Sequence, residues 1–281
     1  MKDIFKLLFI LSLLIALGCK KSSEPEPGNL EDDMIDAWSS PNCPAENSVL
    51  SAKMEIRGID TTITEYFYDL QGRPTSVISN GNKFLIEYIS DNRYNIMYYF
   101  NDEPQYTAHA YLSAEKVMDS VIHYNDGESV PYNQVHYSYD SEKRRTGWKF
   151  YGAHSGPDIP WSEKAIFSWD ANGNVSKFEL LEYDSSLKHS VDYEYYTDIK
   201  SSLYELTAPI SGYYYGYPSE MQGGSPLSKN FTKKISYESK EITYTPTFDE
   251  NNRLIKNVMT TLDLDGVEVE KQIAYYRYDC K

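Results

Sequence analysis

The sequence predicts an all-β protein: a curved antiparallel meander of hairpins curling toward a partial barrel, with a two-sheet β-sandwich as the alternative. Three observations carry this. First, the body alternates apolar and polar residues with period two. Val135, Tyr137 and Tyr139 share one parity against Gln134, His136 and Ser138, and Ala165, Phe167 and Trp169 oppose Ser168, the pattern of half-buried strands. Second, a short turn signature recurs along the chain. Third, Tyr supplies 27 of 281 residues, and its rings suit half-wet sheet faces better than a thick aliphatic core does.

The turn signature is clearest in Tyr68 to Arg73, YDLQGR, and returns in order as YISDNR (Tyr88), YLSAEK (Tyr111), YDSEKR (Tyr139), WDANGN (Trp169) and FDENNR (Phe248). Each begins with an aromatic residue. Asp69, Asp140, Asp170 and Asp249 follow it where a carboxylate can accept the backbone N–H two residues on, and Gly72, Asn92, Gly173 and Asn252 stand where a bulged type I turn needs positive φ. Glu115 and Lys143 hold that place in the other two segments, which predicts different loops or backbone strain there. Tyr237 to Glu241 reads as a degenerate seventh segment, and Tyr278-Asp279-Cys280 as the start of another. Six or seven hairpins give roughly ten to fourteen strands, about the width at which open sheets curl or split. The basic residues Arg73, Arg93, Lys116, Arg144 and Arg253 either form a ladder against the acidic surface or lie in solvent.

These segments resemble the YD repeats of bacterial Rhs and teneurin-type proteins. The segments are few, irregularly spaced and followed by no toxin-like domain, so a cocoon-like shell is not implied. The overall plan looks like that of uncharacterised lipoprotein families of Gram-negative bacteria.

The chain opens with Lys2 and Lys6 before an apolar run, Leu7 to Leu17, too short to span a bilayer and patterned as a secretory leader. Ala16-Leu17-Gly18-Cys19 resembles the lipobox of bacterial lipoproteins, which implies cleavage after Gly18 and acylation of Cys19. Lys20 stands where an Asp would favour inner-membrane retention, so the resemblance points to the outer membrane. The expected domains are therefore a signal peptide at 1–18, an acylated Cys and flexible acidic tether at 19–47, and a single repeat-built β domain at 48–281. The tether's Ser, Pro, Glu and Asp content cannot bury enough surface to order itself.

The formal charge is −15. Loss of the leader removes two positive charges and one negative, leaving −16, and so acidic a body repels nucleic acid. With Cys19 acylated, Cys43 and Cys280 remain, either as a disulfide in an oxidising compartment or as two separate thiols. The five histidines show no metal-ligand spacing. No nucleophile elbow, phosphate loop or Cys-x-x-Cys occurs, and the sequence suggests neither metal nor cofactor. Asp170 to Asn174 and Asp263 to Gly266 look superficially like calcium loops but lack the full ligand set, and read as turns.

Two insertions break the alternation, GWKFYGAHSGPDIPW from Gly147 and SGYYYGYPSEMQGG from Ser211. Their rings Trp148, Tyr151, Trp161, Tyr213, Tyr214, Tyr215 and Tyr217 are candidate contacts for a glycan or peptide, or else cover an open end of the sheet. The expected function is a non-enzymatic binding or structural module, lipid-anchored at the cell envelope. The alternatives are a hydrolase using two carboxylates that no motif marks, and a scaffold subunit of an envelope assembly.

Overall fold

The computed structural model describes residues 38, 40, 41, 44, 47–152, 161–200 and 228–280. The chain divides into Met1–Ser39 and Ser40–Lys281, and the second unit is a β-barrel. Its strands are β1 (Ser48–Arg57), β2 (Asp60–Tyr68), β3 (Pro74–Ser79), β4 (Asn82–Ser90), β5 (Arg93–Phe100), β6 (Glu103–Leu112), β7 (Met118–Asn125) and β8 (Asn133–Tyr139). They continue as β9 (Arg145–Gly152), β10 (Glu163–Trp169), β11 (Val175–Glu182), β12 (Leu187–Lys200), β13 (Asn230–Ser236), β14 (Lys240–Phe248), β15 (Leu254–Asp263) and β16 (Glu268–Cys280). Each strand pairs antiparallel with its neighbours in sequence, and β1 pairs with β16 to close the barrel.

The all-β antiparallel meander is as the sequence predicts, but the barrel is closed rather than partial. The register from Arg57↔Gln272 to Ser48↔Cys280 zips the whole length of β1 onto β16. Closure gives both terminal strands a partner for backbone groups that an open edge would leave unpaired. The strand count exceeds expectation because the connections at the other rim carry no YD signature. Those turns rest instead on pairs such as Asn80-Gly81 and Asn101-Asp102, all at positive φ.

Register and burial assign one face of every strand to the interior. Phe178, Leu180, Ile235 and Leu254 are fully buried, Trp148 is 1% exposed, and they join Tyr193, Tyr244 and Tyr276 in one large cluster. Strands β3 to β7 build a second cluster from Val77, Phe84, Ile86, Tyr94, Ile96 and Val121. Tyr66 and Tyr137, on the strands flanking it, pack against both clusters. A sixteen-strand barrel of the porin kind holds an aqueous channel; here side chains fill the inner face.

The outer face mixes charged side chains with exposed apolar ones, Ile63, Phe67 and Ile89 among them. Lys177 pairs with Glu179 at 2.9 Å, and Lys234 with Glu194 and Glu241 at 3.0 Å each. These ion pairs sit within β11 to β14, with Glu241 beside the β13–β14 turn.

Candidate functional site

Connections that follow even-numbered strands all open on one rim, and all six YD segments lie there. In four of them a single carboxylate organises the turn. Asp69 Oδ1 accepts the backbone N–H of Gln71 and of Arg73, each at 2.9 Å, while Oδ2 accepts Arg73 Nε at 2.7 Å. Asp140 repeats this with Glu142 and Arg144, and Asp249 with Asn251 and Arg253. Asp170 holds the backbone of Asn172 and Asn174, with the Asn174 amide in place of a guanidinium. Desolvation pushes the Asp69 and Asp140 carboxyls up, but hydrogen bonds from the arginine backbone and side chain outweigh it and hold both below the usual carboxylate range.

The fourth turn position takes positive φ at Gly72 (75°), Lys143 (63°), Gly173 (81°) and Asn252 (60°). Lys143 therefore adopts the strained conformation directly. A left-handed L-residue costs about 1–2 kcal/mol, and glycine's extra chain entropy returns about 0.5–1 of that. Lys143→Gly should thus raise stability by about 0.5 kcal/mol, read as a higher urea midpoint at unchanged slope. A lower midpoint would show that the Lys143–Glu115 contact, 3.3 Å between two half-exposed groups, outweighs the strain.

Two segments depart from the pattern. Asn92 is not at positive φ. It lies in a tighter turn, where Ser90 faces Arg93 and Ser90 Oγ accepts the Asn92 N–H at 3.3 Å. The third segment is shifted by one residue. Ser113 takes the Asp place and Lys116, at φ 64°, the glycine place, so the strain falls on Lys116 rather than Glu115. Tyr237 turns at the opposite rim, between β13 and β14.

The aromatic residues lock each hairpin to the one before. The hydroxyls of Tyr68, Tyr88, Tyr139 and Tyr278 donate to the carbonyls of Leu50, Pro74, Met118 and Leu254, and Trp169 Nε1 donates to Arg145. Most of these carbonyls open the preceding strand just past its turn. The arginines complete the link in the other direction. Arg73 lies 4.1 Å over the Tyr88 ring, Arg144 lies 5.7 Å over Trp169 and Arg253 lies 5.6 Å over Tyr278, cation–π contacts between successive segments. Each of these arginines therefore pairs with the carboxylate of its own turn and reaches the next segment through a ring. Arg93 instead turns outward onto Tyr111 and His109.

Inside this rim opens a cavity of about 910 Å³, within the range of small-ligand pockets. Tyr88, Tyr94, Tyr139 and Trp169 line it, with the cations Arg73, Lys116, Lys143, Arg144, Arg145 and Lys229 against the acids Asp91 and Glu142. In a chain of net charge −15 this is a locally basic mouth. Its β13 side is latched to the β10–β11 turn. Asn230 N–H donates to Asn174 Oδ1 at 2.9 Å, and Ser228 Oγ accepts the Val175 N–H and donates to the Tyr195 hydroxyl.

Three of the seven candidate rings are among the described residues, and none of the three lines the mouth. Trp148 belongs to the interior core, and Tyr151, on β9, meets His136 edge-on at 5.4 Å. Trp161 is half-buried just before β10. That insertion follows odd-numbered β9 and so opens at the rim opposite the YD turns. Tyr213, Tyr214, Tyr215 and Tyr217 lie outside the described residues, between β12 and β13, whose flanking ends are at the YD rim. Cys280 is disulfide-bonded, while Cys43 and Cys19 lie outside the described residues. Among the described residues no group of three His, Cys, Asp or Glu could hold a metal ion.

Sequence reasoning did not single out Arg145 or Lys229 in the mouth. Lys229 stands far along the chain from the turn it faces, and no local pattern connects the two.

No protein-family model matches the chain, and no curated protein matches it. Among solved structures it is similar to a porin-like protein from Bacteroides uniformis ATCC 8492, 14% identical with a TM-score of 0.59 over 82% of this chain and 97% of that one. A porin-like protein from Bacteroides vulgatus ATCC 8482 is 11% identical with a TM-score of 0.39 over 81% of this chain and 98% of its own, too low to support an argument. The first likeness establishes a shared barrel fold and nothing finer.

Proposed function

We propose that this protein is a non-enzymatic binding module of the Gram-negative envelope, tethered by lipid on Cys19 and presenting the mouth at its YD rim to a ligand. One observation carries the reading: the barrel is inside out relative to a membrane-spanning one. Spanning barrels face apolar residues to lipid and polar ones inward, and a Lys or Arg on the lipid face near mid-bilayer costs about 2–4 kcal/mol. Here the bulkiest buried side chains, Trp148, Phe178, Leu180 and Ile235, point inward, and the charged pairs Lys177–Glu179 and Lys234–Glu194 stand on the outer wall beside exposed apolar residues such as Ile63 and Phe67. Such a body belongs in water and needs an anchor to stay at a membrane. The lipobox and acidic tether supply one, since each buried methylene of an acyl chain contributes about 0.8 kcal/mol.

The disulfide at Cys280 fits an exported protein, and we assign its partner as Cys43, because acylation occupies Cys19. The anchor is tested by Cys19→Ser. The variant should leave the membrane fraction and stay folded without detergent, with the far-ultraviolet spectrum of the parent. Retention of Cys19→Ser in the membrane fraction through carbonate washing would mean that the wall itself is embedded, and the reading would fail.

A further inference from the structure

We propose that the rim opposite the YD turns docks a partner protein whose contact face sets aliphatic side chains among lysines and arginines. This surface is separate from the mouth and does not depend on its ligand. Its turns follow the odd-numbered strands: 58–59, 80–81, 101–102, 126–132, 183–186, 237–239 and 264–267, with 161–162 before β10.

Two properties set these turns apart. The first is exposed apolar bulk. Ile59 is 100% exposed, and Leu264, Val267, Val130, Tyr183 and Tyr132 also stand in solvent, whereas among the described residues the YD turns expose one large apolar side chain, Leu70. The densest part lies over the barrel closure. There β16 runs on past its last partner in β1, Gln272 opposite Arg57, so the β15–β16 hairpin projects beyond the β1–β2 tip. Exposed Val269 on its stem, with Leu264 and Val267 at its turn, continues the surface that Ile59 begins. Behind them the outer wall stays aliphatic, with Ile56 opposite Ile273 and Ile273 opposite Val258. Contiguous apolar surface rimmed by polar groups marks an interaction site.

The second property is charge. These turns hold Asp102, Asp126, Glu128, Asp184, Glu238 and Asp265 and, among the described residues, no lysine or arginine. Of the cations just behind them, Arg57 is held by Glu270 and Lys188 by Glu163 and Glu182, while Lys83 and Lys240 lie over Tyr99 and Tyr237. Beside the closure Asp60 and Glu268, which make no ion pair among the described residues, outnumber Lys271.

Charge and attachment together choose the occupant. β1 begins at the YD rim, where Arg253 donates to the Pro41 carbonyl. A tether from Cys19 therefore joins the barrel at that end, and the apolar, acidic rim is the end turned away from it. Anionic lipid would be repelled by these carboxylates, and so would the same rim of a second copy. A basic protein face is attracted instead, and an apolar centre within a charged surround is the ordinary build of a protein–protein interface.

The test uses the full-length protein in a nonionic detergent and three labelled hexapeptides read by fluorescence polarisation: KKLLKK, hexalysine and EELLEE. KKLLKK should bind, hexalysine should bind about tenfold more weakly, and EELLEE should not bind. Ile59→Ser combined with Leu264→Ser should weaken KKLLKK about tenfold, as removal of an apolar anchor does, and Asp265→Asn combined with Glu268→Gln should also weaken it. Leu70→Ser at the YD rim should leave affinity unchanged, and melting temperatures confirm that each variant folds. Failure of KKLLKK to bind, equal binding of hexalysine, or indifference of KKLLKK to the Ile59 and Leu264 pair would overturn the proposal. A dimer in sedimentation that the same pair dissolves would make a second copy the occupant. A blue shift of a polarity-sensitive dye attached through Leu264→Cys, on reconstitution into phosphatidylglycerol vesicles, would make it a lipid surface. Either result overturns the assignment to a partner protein.

Discussion

Arg253→Ala should destabilise the barrel by about 3–5 kcal/mol, whereas Arg73→Ala, in the same turn motif, should cost at most about 1 kcal/mol. The two arginines make the same 2.7 Å bond from Nε to the turn aspartate. They differ in burial, with side-chain exposures of 50% for Arg73 and 5% for Arg253. At the exposed site water replaces the lost partner and salt screens the pair, the situation in which ion pairs contribute least. At Arg253 the guanidinium also donates Nη1 to the Pro41 carbonyl at 2.9 Å and lies over the Tyr278 ring. The aspartates left behind are alike, 17% exposed at Asp249 and 19% at Asp69. The difference lies in the contacts that the buried guanidinium itself makes, whose loss leaves the Pro41 carbonyl without this donor and a cavity unfilled. Removal of the guanidinium also loosens the point where Ser40 Oγ accepts the Tyr278 N–H beside the β1–β16 closure. Arg144, at 32% exposure, should fall between the two. Urea unfolding of the three alanine variants measures the order, and equal losses at all three would refute burial as the determinant.

The same comparison shows what a linear reading can and cannot reach. The turn chemistry at Asp69, Gly72 and Asp249 is local. A carboxylate, two backbone N–H groups and a residue free to take positive φ fall within five positions, so the spacing alone specifies the bend. Strand identity is equally local, because alternation has period two. Closure is not local, since it depends on the register of β1 against β16 across more than two hundred residues. Nor is the side of the barrel on which a loop emerges. That depends on whether an even or odd number of strands precedes it, and one uncounted hairpin without a YD signature inverts the answer. The one-residue shift at Ser113 shows the limit in miniature: Tyr111 satisfies the aromatic pattern, yet it faces outward under Arg93, and the turn is governed by a serine. The basic mouth was half legible. Its arginines belong to the repeated segment, but Lys229 joins them only because Asn174, standing where a basic residue would be, holds Asn230 instead.

Acidification provides the second large effect, and it centres on His123. This residue lies on the inner face of β7, 5% exposed, opposite Asn133 and Ala108 in register and edge-on to the Tyr106 ring at 5.8 Å. Burial disfavours the imidazolium and lowers its pKa from 6.5 to about 4. The unfolded chain therefore takes up a proton below about pH 6.5 that the folded barrel refuses until about pH 4. Between those values the unfolded state binds more protons, so stability is intact above 6.5 and declines as the pH falls. At about 1.4 kcal/mol per pH unit the loss reaches roughly 3 kcal/mol by pH 4. His109 is also lowered, by desolvation and by Arg93, but it stands on the outer face, where solvent screening reduces its share. The turn carboxylates Asp69 and Asp140 act in the same direction but in a lower window. Being held below the usual range, they keep their contribution until the pH falls through their folded values, beneath the interval that His123 governs. Urea midpoints taken from pH 7 to pH 4 should thus decline steadily, and His123→Gln should flatten the curve over that interval while leaving the steeper loss below it. A parent protein whose midpoint is constant from pH 6.5 to pH 4.5 would show that the His123 ring accepts its proton without cost, and that this part of the barrel interior is open to water.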